Sequence, residues 1–507
     1  MGVPFLISLF TIITSVYFWV LRYHLAVTRY FDHDELAYLY WARHMADGSM
    51  PYRDFLLYPA PGLLWLLQPI VTQFNGFATF LAGRALLFWI FVCFAFVVTF
   101  LFYRMRKTWI CVFIPLILVF LPLPSDKFLE IRPDMLAMFV VVVGMLGVIS
   151  SMELQRPRTR PWKLAAAGVC FAVSLFISQK MLVLVGITGI GFLGWQMTSR
   201  RLKMITRKDT WKDIVAVVVG FGVVAACIGA WFLSLGNFPL IWYSLVKLPF
   251  EANVLGTIFS IPPDFFFRTN DVVYGTGGYH LGYWINLVFW VVAILIGVYR
   301  FVISLVCFDK KTSWQELIIA GNFLVSLYLF FYVMPMKHAQ YLIPSAIFVV
   351  WYIVDGLFLI WEQMRTSRIG RLFGGIGFVV FLFVLLSANR LVSDPKMQWG
   401  YTEREELDMF LRTIPKTTYV LDLACVSLYY PSPYYITCMP IGQVTPLISL
   451  TLPSVEERLQ ATDTKYIYQG KQYRTQELSS NDQRYIREHF TPVGDGAMLV
   501  RNDVMER

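Results

Sequence analysis

The sequence predicts an α-helical polytopic membrane protein of about 11 transmembrane helices, with interfacial helices in its first outer loop and a small C-terminal α/β domain. Three observations carry this expectation. The 507 residues are 57% hydrophobic and only 15% charged, with a mean hydropathy of +0.59, far from the average of soluble globular chains. Apolar runs close to the length of a membrane-spanning helix recur up to about residue 390. From about residue 393 the runs stop and the composition turns polar. The expected division is a transmembrane domain over 1–392 and a soluble extracytoplasmic domain over 393–507.

The apolar runs centre on residues 3–23, 83–103, 108–124, 133–152, 164–179, 181–198, 213–235, 284–306, 316–335, 341–361 and 372–389. Those at 108–124 and 164–179 are short for a span. The first lacks a basic segment ahead of it and a small-residue cleavage site behind it, so it reads as a retained span. Leu6 breaks the myristoylation pattern after Gly2. Basic residues gather between alternate runs: Arg104, Arg106 and Lys107; Arg156, Arg158, Arg160 and Lys163; Arg200 to Lys212; Arg300, Lys310 and Lys311; Arg365, Arg368 and Arg371. The positive-inside rule makes these loops cytoplasmic, with the N-terminus. It puts the loops 24–82, 125–132, 236–283 and 336–340 and the C-terminal region outside. The net charge of +10 then belongs to cytoplasmic loops, and no nucleic-acid partner is expected.

In the polar region, Thr402 to Glu405, Ser454 to Glu457 and Ser480 to Gln483 carry capping-box spacing and open expected helices. The β-prone runs 417–423, 465–470 and 497–501 alternate with them, as in a small α/β domain. Five of the seven cysteines lie in or beside apolar runs and read as small hydrophobes. Cys425 and Cys438 lie in the polar region; spacing alone leaves a bridge and two free thiols open, and an extracytoplasmic location favours the bridge.

The outer loops hold the residues that could carry chemistry. In the first, "ELAYLYWARHMADG" places Leu36, Leu39, Tyr40 and Met45 roughly on one face, an expected interfacial helix ended by Gly48. A second such segment, 62–74, follows the break Tyr58-Pro59-Ala60-Pro61. Asp34 and Glu35 would sit at the start of the first helix, where its dipole favours carboxylates; the bland alternative is that they only cap it. The second outer loop holds Asp126, Lys127, Glu130 and Arg132, with Asp134 in the first turn of the next span after Pro133. Polar groups at that depth are costly without a cavity or partner, although an ion pair anchoring a helix end would satisfy them too. Lys180, and Lys337 with His338, interrupt apolar stretches at outer helix ends; singly, each could be a lysine snorkelling to headgroups. Together with Arg43, Arg53 and Arg132 they place cations on the same side as the carboxylates.

Carboxylates and cations at one membrane surface suit transfer of a sugar from a polyprenyl phosphate. A carboxylate accepts the proton of the attacking hydroxyl, and cations stabilise the departing lipid phosphate. A single displacement of this kind inverts the anomeric carbon. An outward-facing enzyme is expected to use a lipid-borne sugar, because nucleotide sugars are made in the cytoplasm.

The stretch "DEL" at 34–36 with "YWARHMADGSMPYRDF", "YPAPG" at 58–62, "EIRPDML" at 130–136, "SQK" at 178–180 and "KHAQYLIP" at 337–344 resembles the bacterial branch of the protein mannosyltransferase and aminoarabinose transferase superfamily, the GT-C glycosyltransferases. The resemblance runs in order over most of the first 390 residues. It implies Asp34, with Glu35 beside it, as the catalytic acidic residue of the first outer loop, and Asp134, with Glu130, as a second acidic site. It implies Lys337 or His338 as a holder of lipid phosphate, with help from Lys180. The full set expected on the donor and its phosphate is Lys180, Lys337, His338, Arg132, Arg43, Arg53, Tyr58 and Tyr341. Where aminoarabinose transferases have Lys-Pro-Pro this chain has Tyr58-Pro59-Ala60-Pro61, so their sugar specificity is not carried over. The extended outer domains of eukaryotic protein mannosyltransferases are missing, which disfavours protein O-mannosylation.

The expected partners are a polyprenyl-phosphate sugar, a glycan or glycolipid acceptor and membrane lipids. The absence of any Asn-x-Ser/Thr sequon points to a bacterial inner membrane. No cofactor is expected; His33 with Asp32 and Asp34 comes nearest to a metal set but has no recognised ligand spacing. The competing reading, a transporter or flippase for lipid-linked glycans, calls for ionisable groups along a path through the spans, whereas here charges crowd the outer ends. A purely structural membrane partner leaves the acidic loops unexplained.

Overall fold

The computed structural model describes residues 3–28, 33–120, 125–153, 160–251, 280–308, 310–334, 337–394, 414–423, 425–438, 441, 445, 448–470 and 474–505. Asp32 and the expected capping pair Thr402 and Glu405 lie outside them. The helices, in chain order, are α1 Val3–Thr28, α2 His33–Ala46, α3 Gly62–Gln73, α4 Phe77–Arg106, α5 Phe113–Leu118, α6 Pro133–Ser151, α7 Arg160–Ile177, α8 Leu182–Arg201, α9 Arg207–Ser234, α10 Phe238–Trp242, α11 Leu248–Glu251, α12 His280–Val306, α13 Lys311–Tyr328, α14 Ile343–Met364, α15 Arg368–Ser393, α16 Val455–Ala461, α17 Ser480–His489 and α18 Asn502–Met505.

Ten helical segments among the described residues are long and apolar enough to cross a membrane, and the chain is a polytopic membrane protein. The expected run at 108–124 is the exception. It forms a 3-10 turn, Trp109–Val112, and the six-residue α5, whose Phe113, Ile114, Leu116, Ile117 and Leu118 are buried. At about 1.5 Å per residue such a piece cannot cross about 30 Å of hydrocarbon, and its apolar character serves the interior of the bundle. On α1, by contrast, Leu6, Phe10, Ile13, Tyr17 and Val20 are exposed, the kind of face that hydrocarbon covers.

Two compact units result: Met1–Arg29, Ala85–Ile228 and Ile261–Trp399 in one, and Tyr30–Arg84, Gly229–Ser260 and Gly400–Arg507 in the other. In the first, α6 packs on α7, α13 on α8, and α12 on both α13 and α14. Gly168 and Gly220 let α7 and α9 touch backbone to backbone. A Cβ on Gly168 would lie 2.1 Å from the Val217 carbonyl oxygen, and one on Gly220 2.0 Å from that of Ala165, the small-residue approach typical of membrane helices. Arg106 binds Glu316 at 2.6 Å and Asp355 at 2.5 Å, and Arg300 binds Asp355 at 2.7 Å. The Tyr352 hydroxyl donates to Glu316 at 3.1 Å. This network ties α4, α12, α13 and α14 together. Arg160 likewise pairs with Asp213 at 2.5 Å. Arginines that the sequence presents as loop charge are therefore partly structural cations.

In the second unit, α2 packs on α3, and a four-stranded sheet runs in the order β1-β2-β4-β3, with β1 Val420–Asp422, β2 Tyr466–Tyr468, β3 Phe490–Val493 and β4 Met498–Arg501. β1 and β2 are parallel, with α16 in the connection between them, and β2–β4 and β3–β4 are antiparallel. Leu421, Ile467, Leu499, Leu459, Ile486 and Phe490 form its core, joined by Leu56, Tyr243 and Leu248 from earlier in the chain. Ser454 and Glu457 make the expected capping box on α16. At α17 the cap is Ser479, whose hydroxyl accepts from the Asp482 amide, one residue ahead of the Ser480–Gln483 expectation. Strand β3 had no counterpart in the sequence reading: its Pro492 cannot donate to a ladder and is tolerated because β3 is an edge.

Candidate functional site

The first candidate cluster is carried by α2. Asp34 and Glu35 occupy its first turn, the position the helix dipole favours. Asp34 is half-buried. Glu35 is fully buried and accepts two hydrogen bonds from Arg84, from Nε at 3.0 Å and from Nη2 at 2.6 Å. The Arg84 guanidinium also lies 4.3 Å from the centre of the Phe80 ring. Such a bidentate pair in a dry setting fixes the orientation of the Glu35 side chain.

The rest of α2 is buried around more of its circumference than a one-sided amphipathic helix would be, with Leu36, Ala37, Leu39, Tyr40, Trp41 and Ala42 all at 3% exposure or less. Gly48, at φ +97°, follows its end. Arg43 binds Asp47 at 2.9 Å and the Val71 carbonyl at 2.9 Å. Arg53 pairs with its neighbour Asp54 at 2.7 Å on the surface. The Tyr58 ring packs edge-on against Trp41, 5.7 Å between centres. The His44 ring lies tilted against that of Tyr40, 4.1 Å between centres, and burial pushes its imidazole down to about 4.

A second cluster forms in the other unit. Pro133 opens α6 after an extended Arg132, which sets Asp134 in the first turn. Asp134 is 4% exposed and accepts from Lys180 at 3.1 Å. The Lys180 ammonium lies 4.1 Å from the centre of the Tyr341 ring. Asp134, Lys180, Ser326, Gln340 and Tyr341 line a cavity of about 20 Å³, room for roughly one water-sized sphere. Glu130 is fully buried and accepts from Lys127 at 2.6 Å and Arg132 at 2.7 Å.

Lys337 is 8% exposed, and its ammonium donates to the carbonyls of Phe330 at 2.5 Å, Phe331 at 3.3 Å and Met334. It caps the C-terminal end of the π-helical turn Leu329–Val333, as a cation there should, and burial pushes its amine below the usual range. His338 precedes the 3-10 turn Ala339–Leu342, with its ring edge-on to Tyr341 at 5.9 Å.

Of the residues expected from sequence, the structure therefore brings together Asp134, Lys180 and Tyr341, and separately Glu130 and Arg132. Sequence reasoning passed over Arg84, because it lies inside an apolar run and its partner is 49 residues away. Its only signal was a lone arginine in a span, which needs a buried counter-charge. Among the described residues, no group of three or more His, Cys, Asp or Glu is placed to hold a metal ion.

The arrangement of helices settles the architecture. ArnT from Cupriavidus metallidurans bound to undecaprenyl phosphate superposes with a TM-score of 0.57 over 97% of both chains, at 12% identity. This chain has the GT-C fold. The Archaeoglobus fulgidus oligosaccharyltransferase shares it in its apo form, with a TM-score of 0.51 at 11% identity over 96% of this chain and 72% of that one. The archaeal oligosaccharyltransferase AglB from the same organism, in complex with an inhibitory peptide and a dolichol-phosphate, gives 0.51 at 10% identity over 97% and 74%. At these identities the GT-C likeness is one of fold. The sequence matches no protein-family model and no curated protein.

Proposed function

We propose that the protein is an inverting glycosyltransferase. It moves a sugar from a polyprenyl phosphate to a lipid-linked glycan, lipopolysaccharide or other envelope polysaccharide, at the outer face of a bacterial inner membrane. The observation that carries this reading is the Lys180–Asp134 pair with Tyr341 at 4.1 Å, a cation oriented at the end of apolar helices in a GT-C fold. The phosphate-bearing isoprenoids bound by ArnT and AglB support a lipid-phosphate donor.

The chemistry follows from these groups. Glu35 has both oxygens engaged by Arg84, which favours its neighbour Asp34 as the base. Asp34 takes the acceptor hydroxyl proton as that oxygen bonds to the anomeric carbon, while the bond from that carbon to the phosphate oxygen breaks. The electron pair leaves with the lipid phosphate. Within its own unit, Lys180, held by Asp134 and Tyr341, is a cation of the kind that binds a lipid phosphate. The three carbonyls on Lys337 favour a structural part for it over a role on phosphate.

The test is incubation of the purified protein with a panel of polyprenyl-phosphate sugars. Release of free polyprenyl phosphate from at least one donor is expected. No release from any member, with or without glycolipid acceptors, overturns the reading.

A further inference from the structure

Cys425 and Cys438 are joined by a disulfide, with Cα atoms 4.7 Å apart, and the chain they enclose does something specific. Tyr430, Tyr435 and Thr437 within it reach back almost four hundred residues to α2 and the turn that follows. Thr437 Oγ1 accepts from the Trp41 indole at 2.9 Å. The Tyr430 carbonyl accepts from the Tyr40 hydroxyl at 3.4 Å. The Tyr435 carbonyl accepts from the Leu56 amide at 2.8 Å, and the Tyr435 hydroxyl donates to the Tyr52 carbonyl at 2.9 Å. Tyr429 adds a hydroxyl contact of 2.6 Å with Thr79, at the start of α4, and lies under the Arg43 guanidinium at 5.5 Å. Leu56, Tyr434 and Ile436 continue the contact as shared core.

These bonds hold the middle of α2, two turns from Asp34 and Glu35, and the stretch after it. A helix is stiff over that distance, so whatever fixes Tyr40 and Trp41 also fixes the carboxylates in its first turn. The loop itself contains little regular structure, and the disulfide closes it, limiting the conformations from which Thr437 and Tyr435 must be recruited.

We infer that the disulfide-closed loop Cys425–Cys438 is a positioning element for the acceptor-activating helix, with Thr437 as its principal positioning residue. This rests on the assignment of Asp34 as base.

Two measurements separate the inference from that assignment. In the Thr437→Val and Cys425→Ser/Cys438→Ser variants, amide hydrogen exchange over residues 34–46 should quicken at least severalfold, whatever reaction the protein performs. Turnover of a polyprenyl-phosphate sugar should fall about tenfold to a hundredfold in kcat with KM for the donor little changed, as expected of a misplaced base. Thr437→Ser, which keeps the acceptor oxygen, should restore most of both. Unchanged exchange over 34–46 in both variants overturns the positioning role. Quickened exchange with unaltered kcat leaves the mechanical link standing and removes Asp34 from the chemistry, which overturns the inference as a statement about catalysis.

Discussion

Glu35 and Arg84 form a bidentate ion pair with both side chains at 0% exposure, Nη2 to Oε2 2.6 Å. It joins the first turn of α2 to α4. Breaking one partner of such a pair leaves a buried charge uncompensated, which costs about 3–5 kcal/mol, whereas replacing both by apolar groups costs far less. Glu35→Ala and Arg84→Ala should each lower the unfolding temperature in detergent by several degrees. The Glu35→Leu/Arg84→Met double variant should recover much of that loss. Additive losses in the double variant would show that the two side chains do not act as a pair.

Lys180 carries the strongest prediction for the donor. Removing a charge-assisted contact to phosphate costs roughly 1.5–3 kcal/mol, so Lys180→Gln should raise KM for a polyprenyl-phosphate sugar by about tenfold to a hundredfold. Asp134→Asn, which releases the ammonium from its orienting partner, should act in the same direction but less. Steady-state kinetics in detergent would read both, and a Lys180→Gln enzyme with an unaltered donor KM would contradict the assignment.

His44 gives a pH dependence of known sign. Its folded value is pushed down to about 4 by burial, against an ordinary 6.5. Between those values the unfolded chain binds a proton that the folded chain refuses, so stability falls as pH drops from about 6.5 to about 4. In His44→Gln the acid-side loss over that interval should shrink. Urea or thermal unfolding at several pH values measures it, and an identical profile in the variant would remove His44 as the cause.

The network on Asp355 predicts a stability effect with no effect on donor binding. Asp355 accepts from Arg106 at 2.5 Å and Arg300 at 2.7 Å and is fully buried. Asp355→Ala leaves two arginines short of a partner and should cost about 3–5 kcal/mol, read as a lowered unfolding temperature. A variant as stable as the wild type would show that the arginines reach solvent.

The spans were legible because a bilayer imposes length and hydropathy, which composition records directly; even the short run at 108–124 announced its brevity. The capping box at Ser454 and the runs around β1, β2 and β4 were local signals too. What escaped was long-range. Arg84, Glu316, Asp355 and Asp213 find counter-charges across the fold, and nothing in the neighbouring sequence names the partner. The one-sided pattern in α2 understated its burial, because the contacts of Tyr40 and Trp41 come from Tyr430 and Thr437. Lys337, which with His338 was an expected holder of lipid phosphate, is a local case: its ammonium donates to the carbonyls of Phe330, Phe331 and Met334 just before it in the chain. Whether an isolated lysine caps or binds depends on a backbone geometry that residue spacing does not encode.

The proposed role of Asp34 as base is read in the rate of lipid-phosphate release by Asp34→Asn, compared with wild type on the same donor and acceptor. Loss of a general base removes about a hundredfold to ten-thousandfold in rate, and Asp34→Asn should show a drop of that size with an unchanged unfolding temperature. Release at the wild-type rate by a correctly folded Asp34→Asn enzyme would contradict it.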